Sequence, residues 1–425
     1  MKLPFLLAAA AAALLAPAVS AVSAAPASGA GSPAQSINAL GLDLYQLAPH
    51  GNLLLSPFSI QSALAMTSAG ADGRTLEEMR SVLRVAGDEA AVHGALKSLS
   101  AEFAQLAADS AARVKHSKES GGPTSPLELR VANRLFGQKD FTFKRPFLDV
   151  VRDQYAAPLE SVDFQGALEK SRLKINAWVD DQTRSKIRDL IGPTDLDRST
   201  RLVLVNALYF RAAWSEPFQK SATQPAPFCV EPGTRVEVPT MAQTGRLGYA
   251  RRDGFQAVSL PYEGGGFQFL ILLPDPGVKL AQLEARLTPE LLSGLAAVQR
   301  EKVALFLPKF RIQPPTLDLA DSLKKLGMRT AFDEPRGSAN FERMAERKPD
   351  EYLFIGKVLH KTFLDLDENG TEAAAATAVA MMKATSMPVP ENPPVEVRVD
   401  RPFLFAVQHR TTGACLFLGR ITDPR

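Results

Sequence analysis

Apolar residues in the first third of the chain recur at three- or four-residue intervals, the spacing of one face of an α-helix. In the first such stretch they are Ile37, Leu40, Leu44 and Leu47. Ser56 and Pro57 then provide an N-cap and a first-turn proline for a second helix that ends near Ser68. The same spacing predicts further helices over residues 74–83, 90–106, 168–190, 281–298 and 317–326.

Strand-like runs dominate the rest of the chain. Apolar or alternating stretches predict strands over residues 127–136, 202–210, 249–252, 257–261, 267–273, 303–312, 353–366, 403–407 and 416–421. Residues 113–126 combine cations with glycines and predict a solvated loop, with a polyanion patch as the alternative. Because helices precede strands without a repeat or linker, residues 36–425 are predicted to form one α+β domain.

The N-terminus has the pattern of a signal peptide. Lys2 precedes an apolar stretch from Leu3 to Ala18, and small residues follow at Val19-Ser20-Ala21 or Val22-Ser23-Ala24. This order predicts a signal peptide over residues 1–24 and a flexible leader over 25–35. An uncleaved membrane anchor is the alternative, but the short apolar run favours export. The mature protein is therefore expected to be soluble and secreted, either to the periplasm or outside the cell.

Charge and cysteine content narrow the function further. A formal net charge of +3 is too small to indicate a nucleic-acid or membrane partner. Cys229 and Cys415 are the only cysteines; two buried thiols are expected, although export would permit a disulfide. None of the five histidines lies in an HExxH motif, and neither a GxSxG motif nor a Walker loop is present. We therefore expect no metal, no cofactor and no enzymatic activity.

A run of small residues near the C-terminus is the most informative segment. Residues 368–380 contain five alanines in the stretch 373–378 and no proline before Pro388. Small side chains without proline can enter a sheet between two existing strands, where bulky residues would clash. Alanine alone favours helix, and a flexible linker is the other alternative. The flanking strands favour insertion.

From about Ile37 to Pro424 the chain resembles the serpins, a family of serine protease inhibitors. The resemblance rests on six segments in the family's order: Asn52 to Ile60, Ile175 to Val179 with Thr183, Lys186 and Ile187, Leu204 to Phe210 with Trp214, Pro217 and Phe218, Glu368 to Thr377, Asp400 to Phe405, and Leu416 to Ile421 with Pro424. It implies three β-sheets, eight or nine helices and an exposed reactive-centre loop at about 368–395.

The resemblance also implies a mechanism. A target protease attacks the loop as a substrate and forms an acyl-enzyme, after which the freed loop inserts into the main sheet and distorts the protease. The 14 residues from Thr371 to Ala384 would span roughly 46 Å as a strand, at about 3.3 Å per residue. That length is enough to carry a tethered protease along a sheet.

Individual residues receive roles from the same resemblance. The hinge of the loop comprises Glu368, Gly370, Thr371, Glu372, Ala373, Ala374, Ala375, Ala376 and Thr377. Counting from Glu368 as in the family places the reactive bond between Ala384 and Thr385, which suits elastase- or subtilisin-like proteases. A long proline-rich stretch after the bond leaves two alternatives: Lys383 for a trypsin-like target, and Met382 for a chymotrypsin-like one.

A polar cluster is implied beneath the point where the sheet opens. Its members are Ser56, Ser59, Asn206 and His360, whose side chains are expected to bridge adjacent strands by hydrogen bonds. Trp214 is implied at the top, where the loop enters the sheet. The protein is expected to be a monomer that binds a serine protease. The alternatives to inhibition of serine proteases are a non-inhibitory serpin acting as carrier or chaperone, an inhibitor of cysteine proteases, a storage protein and an enzyme.

Overall fold

The computed structural model describes residues 32–117, 125–349, 351–372 and 393–425. Within these ranges the chain forms nine α-helices. They are α1 (Pro33–Leu47), α2 (Pro57–Ser68), α3 (Gly73–Val82), α4 (Glu89–Ser117), α5 (Arg145–Tyr155), α6 (Leu168–Gln182), α7 (Leu280–Glu284), α8 (Pro289–Gly294) and α9 (Ala320–Lys325).

Seventeen strands alternate with and follow these helices in the described ranges. They are β1 (Leu53–Leu55), β2 (Glu128–Gln138), β3 (Leu159–Val162), β4 (Leu202–Ala213), β5 (Gln224–Glu231), β6 (Thr234–Arg252), β7 (Phe255–Pro261), β8 (Phe267–Pro274), β9 (Arg300–Pro308), β10 (Phe310–Ile312), β11 (Leu317–Asp318), β12 (Leu359–His360), β13 (Leu364–Asp367), β14 (Gly370–Thr371), β15 (Val395–Arg398), β16 (Phe403–His409) and β17 (Cys415–Ile421).

The strands form three sheets. A nine-stranded sheet follows the order β1-β17-β16-β8-β7-β6-β9-β15, with β5 paired to β6. A six-stranded sheet has the order β10-β13-β14-β4-β2-β3, and β11 pairs with β12. The α+β class, the three sheets and the number of helices expected from the sequence are therefore confirmed.

The six-stranded sheet is covered on both faces. Successive side chains of a strand point to opposite sides, and each set packs against a different cluster. On one face Phe210 of β4 meets Tyr262 and Phe267 in the main core. On the other face Val205 and Ala207 pack in a second cluster with residues of α6. The sheet is thus sandwiched between the main core and α6.

Several predicted elements have different bounds. The helix predicted over 168–190 ends at Gln182, because Arg184, Ser185 and Asp189 adopt positive φ angles that a right-handed helix excludes. The strand predicted over 353–366 forms only as β12 and β13. Residues 113–117, predicted as loop, continue α4.

Two more predicted elements are interrupted by prolines. The helix predicted over 281–298 is divided into α7 and α8, since Thr288 caps a new helix with Pro289 in its first turn. The strand predicted over 303–312 is divided into β9 and β10 after Pro308. The predicted signal peptide lies outside the described residues. Within the described ranges, no helix combines the length and the apolarity needed to cross a membrane.

Candidate functional site

The six-stranded sheet contains a gap beside β4. On one edge β4 pairs with β2 along ten residue pairs, from Gly137↔Leu202 to Glu128↔Arg211. On its other edge, which faces β13, only Ala212 and Ala213 pair, and their partners are Thr371 and Gly370 of β14. Among the described residues, 202–211 have no strand partner on that edge. We call this unpaired edge the gap.

Gly370 begins the two-residue strand that occupies the top of the gap. Its φ of +149° is a conformation that side chains disfavour. A Cβ atom at this position would lie 2.1 Å from the carbonyl oxygen of Ala212 and 2.8 Å from the Cα of Ala213. Only glycine therefore fits between β4 and β13 here, which gives the predicted hinge glycine a steric reason.

Thr371 points into the core at the top of the gap. Its side chain is 1% exposed, and its Oγ1 lies 2.6 Å from the hydroxyl of Tyr262. The next residue, Glu372, donates its backbone N–H to the carbonyl oxygen of Asp365 at 2.8 Å and has a φ of +51°. The left-handed backbone ends the inserted strand at Thr371.

Glu368 is fixed at the turn that precedes this strand. Its side chain is 5% exposed; it accepts hydrogen bonds from the Lys309 ammonium and the Thr223 hydroxyl, both at 2.8 Å. Burial raises the pKa of Glu368, but these two donors, a backbone hydrogen bond and the charge of Lys309 together leave the pKa below its usual range. The carboxylate is therefore ionised at neutral pH and anchors the base of the loop.

Trp214 contacts the same turn from the end of β4. Its indole Nε1–H donates to the carbonyl oxygen of Asp367 at 3.0 Å, and its backbone N–H donates to Asn369 at 2.9 Å. The indole stacks on Tyr262 with a centroid distance of 4.7 Å. The structure thus places Trp214 against residues 367–369, on the core side of the hinge.

The four residues of the predicted polar cluster form one network. Ser59 donates its hydroxyl to Asn206 Oδ1, and the Ser59 N–H reaches Ser56 Oγ at 3.4 Å. His360 accepts a hydrogen bond from the Ser56 N–H at Nε2, at 3.1 Å, and is not bonded to Asn206. Asn206 instead donates to Asn133. The hydrogen bond that bridges adjacent strands is therefore the one from Asn206 of β4 to Asn133 of β2.

Burial at His360 makes stability depend on pH. Burial lowers the pKa of His360 from 6.5 to about 4, and its Nε2 is occupied as an acceptor. The folded state therefore binds the proton less well than the unfolded state. The contribution of neutral His360 to the stability of the folded state is complete above pH 6.5 and is lost progressively as pH falls from about 6.5 to about 4. Between pH 7.5 and pH 5 we expect protonation at this position to lower the free energy of unfolding by about 2 kcal/mol.

Urea unfolding of the wild type and of His360→Gln at both pH values measures this contribution. The wild type should lose about 2 kcal/mol more than the variant on acidification. Comparing the two proteins cancels the contributions of His93 and His409, whose pKa values burial also lowers. Equal losses in both proteins would contradict the assignment.

The remaining sequence-predicted residues differ in where they lie. Ala373 to Thr377 of the hinge and Met382, Lys383, Ala384 and Thr385 around the predicted bond fall outside the described residues. Both cysteines are free. Cys415 is buried, and burial raises the pKa of its thiol to about 12. Cys229 is half-buried, so the prediction of two buried thiols is wrong for it. The described residues contain no group of three side chains suited to a metal ion.

Sequence reasoning missed several partners of the site. Lys309, Thr223, Tyr262 and Asn133 were not singled out, although each contacts a predicted residue. Lys309 carries the one usable signal: together with Arg311 it is a cation within the otherwise apolar run from Leu305 to Ile312. A cation in such a run needs a counter-charge, and Glu368 supplies it.

Known proteins match almost the whole chain in sequence. A sequence profile described as Serpin (serine protease inhibitor) matches residues 35–424. An uncharacterized serpin-like protein of Thermococcus kodakarensis is 37% identical over 394 residues, covering 92% of this chain and 85% of its own length. The leukocyte elastase inhibitor of Bos taurus is 37% identical over 394 residues, covering 91% of this chain and 96% of its own length.

A solved structure agrees with the sequence relatives. Human thyroxine-binding globulin superposes with a TM-score of 0.75 at 28% identity, covering 92% of this chain and 98% of its own. The chain belongs to the serpin family.

Proposed function

We propose that this protein inhibits serine proteases as a suicide substrate, and that its cleaved loop inserts into the gap beside β4. The observation that carries the proposal is the unpaired edge of β4, with Gly370 and Thr371 already seated at its upper end. A sheet edge with unpaired N–H and C=O groups is a template for an added strand. The hinge lies where that strand would begin.

The length of the loop agrees with the length of the gap. β4 has 12 residues and spans roughly 40 Å at about 3.3 Å per residue. The 14 residues from Thr371 to Ala384 span roughly 46 Å on the same scale. Four alanines, 373–376, follow Glu372 and suit a position between α6 and the main core. Insertion would therefore complete the sheet along the whole of β4.

The relatives support inhibition and define its competitor. The leukocyte elastase inhibitor is an inhibitor by name, whereas thyroxine-binding globulin is a serpin-fold protein named for a ligand. Small hinge residues and the open gap favour inhibition over a carrier role. We propose no catalytic activity of the chain's own, export by residues 1–24, and a target of elastase- or subtilisin-like specificity that cleaves after Ala384.

Incubation of the purified protein with elastase-, subtilisin-, trypsin- and chymotrypsin-like proteases tests this function. We expect an SDS-resistant complex with an elastase- or subtilisin-like protease, and mass spectrometry of the released peptide should place the cut between Ala384 and Thr385. Ala384→Arg should redirect complex formation to the trypsin-like protease, because the residue before the bond fills the specificity pocket.

Lys383→Ala is the matched control, since it changes the neighbouring position and should leave the elastase complex intact. A cut after Lys383 or Met382 would move the reactive bond without changing the mechanism. Cleavage by every protease without a stable complex would contradict inhibition and favour a non-inhibitory serpin.

A further inference from the structure

The side chain of Glu372 lies on the α6 side of the six-stranded sheet, opposite Thr371. Phe210 of β4 faces the main core, so its neighbour Tyr209 faces the other way. Tyr209 interacts with the Glu372 carboxylate and opposes the rise in its pKa that burial causes. That carboxylate is 5% exposed. Glu372 directly follows β14 and is the first loop residue after the inserted strand. A charged hinge side chain is therefore buried where insertion stops.

Charged groups from three directions face Glu372. Lys186, in the connecting segment 183–201 between α6 and β4, places its Nζ 3.7 Å from Glu372 Oε1. Arg211 of β4 adds a second positive charge, and Asp365 of β13 adds a negative one. Lys186 also lies over the ring of Phe363 at 4.8 Å. Among the described residues, the one cation within ion-pair distance of the carboxylate thus comes from the connecting segment.

The connecting segment is held against the sheet close to this pair. Arg184 contacts Glu128 of β2 at 2.6 Å, and Glu128 also contacts Arg211 at 3.1 Å. Gln313 donates a hydrogen bond to the carbonyl oxygen of Lys186 at 3.2 Å. Lys186 is therefore fixed in position, and its ion pair joins the hinge to a segment that lies over the sheet.

Further insertion requires these contacts to change. Glu372 has a left-handed backbone, which a β-strand excludes, so β14 can lengthen only if this residue changes its φ. That change rotates Glu372 about its N–Cα bond and moves the carboxylate relative to Lys186. The N–H to Asp365 continues the register of β14 on β13 and can be kept in the longer strand. The hinge and the connecting segment must release one another before the next loop residue can enter the gap.

We propose that Glu372, Lys186 and Tyr209 form a hinge latch, which holds the intact loop with two residues inserted and couples further insertion to release of the connecting segment. The latch depends on the proposed function in one respect, because that function assigns the loop to the gap. Lys186 and Tyr209 are positioning residues, because they act through Glu372 and touch neither the protease nor the reactive bond.

The charge of Glu372 determines how the latch responds to pH. Burial raises the pKa of Glu372, while Lys186 and Tyr209 oppose that rise. If Lys186 loses its charge, the ionised carboxylate remains buried without its nearest cation and the latched state is weakened. Protonation removes the need for that cation. The effect of losing Lys186 should therefore be largest at neutral pH and should shrink as pH falls through the raised pKa.

Hydrogen–deuterium exchange of the intact protein tests the latch without any protease. At pH 7.5 the backbone amide of Glu372 should exchange about tenfold faster in Lys186→Gln than in the wild type, because its bond to Asp365 opens more often. As pH is lowered from 7.5 this ratio should fall, because protonation of Glu372 removes the buried charge. Arg188→Gln is the matched control: Arg188 lies in the same segment but pairs with Asp180 at 3.3 Å.

A double-variant cycle separates the latch from general loosening of the segment. In a Glu372→Gln background, Lys186→Gln should change the exchange of residue 372 by less than about twofold, because no buried charge remains. Equal acceleration by Lys186→Gln and Arg188→Gln, or a ratio independent of pH, would overturn the latch. Because the assay contains no protease, either result is independent of whether the protein inhibits one.

Discussion

Thr371→Arg should convert the protein from an inhibitor into a substrate. Thr371 is 1% exposed and faces the Tyr262 hydroxyl in the main core. An arginine at this position would have to bury a guanidinium group beside that hydroxyl, and the described contacts include no carboxylate there to pair with it. In the intact variant the hinge can leave the gap and expose the arginine, so the burial cost is met when the loop inserts. A cost of about 3 kcal/mol would slow insertion about a hundredfold. The acyl-enzyme would then be hydrolysed before the loop enters the gap.

The measurement is the partition between complex and cleaved inhibitor on SDS gels at rising ratios of inhibitor to protease. Thr371→Arg should give almost only cleaved inhibitor, whereas Thr371→Ser, which keeps the hydroxyl, should still form complex. Gly370→Pro is a second route to the same outcome, since any Cβ at 370 meets the backbone of Ala212. Undiminished complex formation by Thr371→Arg would show that the hinge does not insert at this position.

Cleavage of the loop should make the protein substantially more stable. The edge of β4 from Leu202 to Arg211 lacks a strand partner among the described residues, and the inserted loop would supply one. About ten backbone hydrogen bonds at a net of about 1 kcal/mol each would contribute on the order of 10 kcal/mol. For a chain of this length, that gain corresponds to a rise in Tm of about 10 °C or more.

The prediction of the hinge rests on signals that are local in the sequence. Small residues without proline mark the insertable segment, and Ser56 with Pro57 marks the start of α2, which begins at Pro57 as predicted. Gly370 was predicted from the resemblance. Its steric cause became visible only with the backbone of Ala212 and Ala213 beside it.

Contacts between distant residues could not be predicted in the same way. Glu368 is bonded to Thr223 and Lys309, which are 145 and 59 residues away in the chain. Asn133 joins the polar cluster because the register of β2 on β4 places it opposite Asn206. Sequence spacing contains no information about such a register when neither strand is connected to the other by a short turn.

The error over residues 353–366 has a related origin. The apolar pattern predicted a continuous strand, but a strand forms only where a neighbour pairs with it. β13 pairs with β10 and β14, and β12 pairs with β11. Residues 361–363 between them, like residues 353–358, have no strand partner among the described residues.

Thermal unfolding of the intact and the loop-cleaved protein is the most direct test of the strand-insertion mechanism. The loop should be cut by a protease that is not inhibited, and the two-chain product compared with the intact chain by circular dichroism. A rise in Tm of about 10 °C or more after the cut is the predicted result. An unchanged or lower Tm would mean that the loop does not fill the gap, and would contradict the mechanism.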